Sequence, residues 1–230
     1  MSSPRAGGPG RRLALDEYLQ DFDRHFWSSG PEGFWKLERQ QTFQEPGVES
    51  WEAFHRGHWD ESLALIEGQR GHYEAYFRRI AGSGFALHRV RCVEEPVSPY
   101  LQWELHLLRL KAEYGEDTRV LLGDGIGRYE AGRPLAEIIV LGSSVMYEIV
   151  YDNEGRLAGG IRFDDPGEVS RCRGAIQEMH RSGEPLADYF ARRVAPLPPP
   201  VVGGEHVQNT GQNTGQNTPD TTQGRTCASF

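Results

Sequence analysis

FALHRVRCVEEPVSPYLQWELHLLRLKAEYGEDTRVLLGD, residues 85–124, reads as strand, turn, helix, strand, and its reading decides the fold. Ser98-Pro99 opens the helix: the Ser98 hydroxyl can accept a bond from a first-turn amide, and Pro99 suits a position whose N–H has no partner. Gly115 ends it, where a left-handed residue costs least. Leu101, Leu105, Leu108 and Ala112 form one apolar row, and Trp103, Leu107, Leu110 and Tyr114 a second. A surface helix carries one such row, so the spacing predicts cover on two sides. Gln102, His106, Arg109 and Glu113 are expected to form the exposed strip.

Glu104 and Lys111 fall between the apolar rows, and a buried carboxylate there requires a partner. The flanking strands supply candidates. From Phe85 to Val93 the chain alternates, with Ala86, His88, Val90 and Cys92 on one face and Arg89 and Arg91 on the other. Arg119 lies among Val120, Leu121 and Leu122 in the following strand. A connection of this length joins parallel strands by a right-handed crossover. Arg89, Arg91, Glu104 and Arg119 are therefore expected in one neighbourhood. Two readings stand: an Arg–Glu structural pair, or a cationic pocket at the carboxyl ends of the strands that binds a small anion or a partner protein.

Outward from this unit, residues 1–12 read as a disordered lead, and residues 13–195 as a single α+β domain. Its N-terminal third is helical and aromatic, with helices over Leu13–Trp27 and Ser50–His58 and one long or two broken helices over Asp60–Ile80, where Gly68 and Gly71 weaken continuity. Phe34–Glu38 is a short apolar burst of strand character. After the central unit, Gly123–Pro134 reads as a Gly-rich loop. Glu137–Leu141, Val145–Tyr151 and Leu157–Phe163 form an antiparallel meander, turned at Gly142-Ser143-Ser144 and Asp152-Asn153-Glu154-Gly155. Asp165-Pro166-Gly167-Glu168 starts a helix, with Asp165 as cap and Glu168 reaching back as a capping box. Val169, Cys172, Ile176 and Met179 give its core stripe, and a last helical turn, Pro185–Arg193, packs with it on the sheet. Residues 196–230 are a Pro-rich spacer and an Asn/Thr/Gly/Gln tail, too poor in apolar groups to fold.

The chain of 230 residues carries a net charge of −8. That weighs against direct nucleic-acid binding and against attraction to an anionic membrane surface. The 3 cysteines, Cys92, Cys172 and Cys227, are too few and too scattered for a disulfide framework. With no apolar leader and no membrane-length run, a cytoplasmic location is expected.

No reaction motif stands out. His55 and His58, followed by Asp60 and Glu61, have a spacing found in metal sites, but no distant ligand completes it, and they read as surface histidines. Gly123-Asp124-Gly125-Ile126-Gly127 lacks the lysine and helix of a phosphate loop. Cys92 and Cys172 read as core thiols. Ser143-Ser144 lacks the glycines and histidine of a nucleophile elbow. Cys227-Ala228-Ser229-Phe230 matches a prenylation box by chance. No cofactor, metal or catalytic residue is expected.

The order of motifs resembles an uncharacterised actinobacterial domain family encoded beside helix-turn-helix regulators. The likeness is carried by Phe34–Glu38, Arg89–Pro96, Ser98-Pro99-Tyr100 with Trp103-Glu104-Leu105, Gly115–Leu121, Tyr151–Gly155, Asp164–Val169 and Pro185-Leu186. It covers roughly 13–193 and implies a cytoplasmic accessory protein connected with transcriptional control or a defence locus, with such a regulator as a partner. The crossover, hairpin and capped helix are also similar to a non-catalytic phospholipase-D-like half-domain. The active form's His-x-Lys is absent, since His88 precedes Arg89-Val90 and His106 precedes Leu107-Leu108.

These readings converge on a non-enzymatic accessory or sensor-like binding protein. Two alternatives remain open: a precursor or carrier of a modified C-terminal peptide after Gly203-Gly204, acted on by a tail-modifying enzyme, and an unrecognised nuclease-like enzyme.

Overall fold

The computed structural model describes residues 4, 7–130 and 132–202. Strands β1 (Arg11–Ala14), β2 (Phe34–Glu38), β3 (Leu87–Val93), β4 (Glu116–Leu122), β5 (Ile138–Leu141), β6 (Val145–Tyr151), β7 (Leu157–Phe163) and β8 (Glu184–Pro185) form one mixed sheet in the order β1-β7-β6-β5-β2-β3-β4-β8. The middle is parallel: β3 lies between β2 and β4. Helix α5 (Pro99–Glu113) connects β3 to β4, as the strand-helix-strand reading requires. Ser98 caps it by accepting from Leu101 N at 3.1 Å, and Gly115 follows at φ +124°. The meander β5-β6-β7 joins the same sheet through β2, antiparallel.

Side-chain alternation divides the interior. One face carries α1 (Leu15–Phe26) over β7 and α5 over β4. Helices α2 (Glu49–His55), α3 (Trp59–Gly68) and α4 (Arg70–Gly82) are also on this side, with α3 stacked on α5. The core there is aromatic, built on Phe22, Phe26, Phe34, Phe54, Trp103 and Tyr147. The opposite face is closed by α7 (Pro166–Ser182) and α6 (Gly123–Glu130), which bury Val90, Cys92, Leu121, Ile176 and Met179. A third cluster seats α8 (Leu186–Tyr189) and the π-helical turn Phe190–Val194 against Leu101, Leu105 and Leu108 of α5.

Several expectations need correction. Arg11 and Arg12 pair with Arg162 and Ile161, so the chain enters the sheet inside the stretch read as a lead. The Gly-rich segment after β4 is helical: Ile126 and Tyr129, three apart, anchor it to the core despite three glycines. The strip of α5 expected to face water is largely covered. Gln102 is buried and donates to Pro198 O at 2.9 Å, and His106 packs edge-on against Phe190 at 4.8 Å. The proline stretch therefore lies back along α5 rather than projecting as a free spacer. Asp165 caps α7 by accepting from Glu168 N at 2.8 Å, but the Glu168 carboxylate turns away to the amides of Gly7 and Gly8. The tail from residue 203 and Cys227 lie outside the described residues. Among the described residues, no helix is long and apolar enough to cross a membrane.

Candidate functional site

The expected charged set separates into two places, because strand parity decides which way each side chain turns. Arg89 and Arg91 point toward α5. In register with them on the same face stand Lys36 and Glu38 of β2 and Thr118 of β4. Arg89 binds Glu38 and Glu116, and Arg91 Nε donates to Glu104 Oε2 at 2.6 Å. Lys36 Nζ lies 2.7 Å from Glu38 Oε1. All of these, with Lys111, are buried.

Arg119 is register partner to Val90, one position out of phase with Arg89, and so it emerges on the opposite face. There its Nε donates to Asp117 Oδ1 at 3.1 Å. The structure thus brings together Arg89, Arg91 and Glu104 and leaves Arg119 out, which corrects the expectation of one neighbourhood. Arg89 and Arg91 are 2% and 0% exposed, so neither guanidinium reaches a ligand in solution. The cavity beside them, lined by Lys36, Glu38, Glu45 and Tyr151 among others, holds about 20 Å³, the room of a single water.

The electrostatics of this inner cluster are those of a closed network. Burial alone raises the Glu38 carboxyl, but the charges of Arg89, Lys36 and Arg91 outweigh it and hold it well below the carboxylate range. Glu116 is held down in the same way by Arg89 and Lys111. At Glu104 and at the margins the balance reverses: burial, with the Glu38 charge, outweighs Arg91 and raises the Glu104 carboxyl. Burial, with the Glu104 charge, lifts Glu45 to about 7. Burial, with the Glu38 charge, lifts Glu137 to about 7. Burial beside Arg89 brings Lys111 down to about 8.

The second place lies on the α7 face. His88 and Asp117 are direct cross-strand partners in β3 and β4, and His180 reaches them from the last turns of α7. Asp117 Oδ2 is 3.7 Å from His88 Nδ1 and 3.5 Å from His180 Nε2. His180 Nε2 also lies 3.0 Å from the Asp117 carbonyl. The indole of Trp35 stacks on His88 at 4.1 Å and meets His180 edge-on at 5.5 Å, fixing both rings. Asp117 is 44% exposed in its side chain, so the group opens to solvent. Burial, reinforced by His180, lowers the His88 imidazole below its ordinary value and keeps it neutral.

Sequence reasoning missed this trio because His180 stands 63 positions from Asp117, and no local spacing announces it. The one available signal was the shared face of His88 and Asp117 once a parallel pairing was assumed. His55 and His58 go elsewhere: His55 stacks on Trp51, and His58 pairs with Glu61 at 3.0 Å. Cys92 and Cys172 are buried free thiols whose burial pushes them up, Cys172 to about 11, which makes them inert.

No curated protein matches the chain. A family profile, described as a domain of unknown function (DUF6879), matches residues 20–191, from α1 through the end of α8 and so across all of the sheet but β1. The match takes in the inner ion network and the His88–Asp117–His180 group alike, and the chain belongs to the DUF6879 domain family.

Proposed function

We propose that this chain is a non-enzymatic, sensor-like binding protein, and that its recognition surface is the α7 face around Asp117. One observation carries the reading. A carboxylate open to solvent is met by two imidazoles and a guanidinium and flanked by an indole. The inner arginines, by contrast, are consumed in ion pairs. Convergent polar groups held by a rigid scaffold are the ordinary form of a binding site. The cytoplasmic setting, the actinobacterial source and the helix-turn-helix regulator as partner rest on the order of motifs alone and belong to this proposal.

The test is thermal stabilisation of the full chain by small anions, divalent cations and the regulator encoded beside the gene, with Asp117→Ala in parallel. A ligand or partner should raise the melting temperature of the parent chain and leave Asp117→Ala unmoved. Turnover of nucleic acid by the purified chain, or equal responses in both proteins, would overturn the reading.

A further inference from the structure

The trio on the α7 face has the composition of a metal site, two imidazoles and one carboxylate. The ligand atoms of His88, Asp117 and His180 all lie within 4.8 Å of one another. A metal bonded at about 2.0–2.2 Å to each would want them ~3.0–3.5 Å apart. The separations of 3.5 and 3.7 Å to Asp117 Oδ2 are within a few tenths of that, and the two imidazole nitrogens, within 4.8 Å of each other, close the third edge by side-chain torsion. His88 Nδ1 is buried and has no hydrogen-bond partner, an uncommon state for a ring nitrogen inside a protein.

We propose that His88 Nδ1, Asp117 Oδ2 and His180 Nε2 bind a divalent transition ion of the zinc type. The inference rests on the α7 face being the recognition surface and names the ligand class it takes. Three features prepare the site. The Trp35 indole lies flat on His88 and holds the ring. Arg119 occupies Asp117 Oδ1 and leaves Oδ2 turned to the imidazoles. Asp117, half exposed, gives the ion a way in.

One bond must be given up. His180 Nε2 now faces the Asp117 carbonyl at 3.0 Å, so ligation requires the tautomer with its proton on Nδ1. Imidazole donors favour zinc, cobalt or nickel over magnesium or calcium, which select all-oxygen sites. Three protein ligands leave a fourth position open, as suits an ion that is sensed or that bridges to a partner group.

The experiment is calorimetric titration of the chelator-treated full chain with zinc and, separately, with cobalt, whose visible absorption reports coordination number. One ion per chain is expected. Asp117→Asn and His180→Asn should each weaken binding about 100-fold or more, and Arg119→Ala about 10-fold, through loss of the carboxylate's orientation. His58→Gln should bind as the parent does. Circular dichroism melts check that each variant folds, and the near-isosteric Asp117→Asn decides if a histidine variant does not.

Absence of saturable binding overturns the inference. So does binding that survives Asp117→Asn, or that disappears with His58→Gln. If no ion binds while Asp117→Ala still abolishes the response to an anion or a partner, this inference falls and the wider reading of the surface stands.

Discussion

Arg91 of the middle strand donates through Nε to Glu104 of the covering helix at 2.6 Å, and both side chains are buried. The pair joins sheet to helix at the point where the interior is otherwise aromatic and aliphatic. Its neighbours Arg89, Glu38 and Glu116 pair across the three parallel strands beneath it, so the interior under α5 is ionic as well as apolar. Removing one partner from such a pair leaves an uncompensated charge, whereas replacing both by apolar groups of similar volume does not.

Glu104→Ala is therefore expected to destabilise the chain by about 3–5 kcal/mol. The double variant Arg91→Met, Glu104→Leu should recover most of that loss. Urea melts of the three proteins measure the coupling; equal stability of the single and double variants would show that the charges do not interact.

The inner cluster also predicts a dependence on pH. Glu45 and Glu137 ionise near 7 in the folded chain and near 4.5 when free. Between those values the unfolded chain has lost protons that the folded one retains, so these groups make stability fall as pH rises. The half-buried imidazoles His88 and His106 are shifted down and act in the opposite sense, so variants must be compared with the parent. Glu45→Gln should gain on the parent by on the order of 3 kcal/mol between pH 4.5 and pH 7, then hold that gain up to pH 8. A difference that stays flat across this window would refute the assignment.

Lys111 gives a complementary signature above neutrality. Its ammonium is lowered to about 8 by burial and by Arg89, against 10.5 when free. From pH 8 upward the folded chain releases this proton first, and stability should rise toward pH 10 through this group alone. Lys111→Met should remove that rise, as read from melts at pH 8 and pH 10.

Gly159 sits at φ +138°, where β7 meets β1, and a Cβ there would lie 2.3 Å from Leu13 O. Gly159→Ala should cost about 2–4 kcal/mol, through backbone strain and loss of the edge pairing. Hydrogen exchange should localise the damage to β1 and β7, leaving the amides of β3 and β4 as protected as in the parent.

The sequence by itself determined the α+β class, the β3-α5-β4 unit, the three-strand meander and the caps at Ser98 and Asp165. Those features are written in short-range patterns: period two in strands, apolar rows in helices, and residues with special backbone or capping chemistry at the ends. It also determined that Glu104 needs a partner, because an unpaired carboxylate between apolar rows is costly to bury.

Which cation answered Glu104 was a tertiary decision. Arg119 differs from Arg89 and Arg91 by one position of register, and one position reverses the face. The helix after β4 also waited on the fold, since burial of Ile126 and Tyr129 overrides the weak helix propensity of the glycines around them. The meeting of His88, Asp117 and His180 was the least legible. Their contact depends on α7 crossing back over the parallel strands, and the distance along the chain carries no trace of the distance in space.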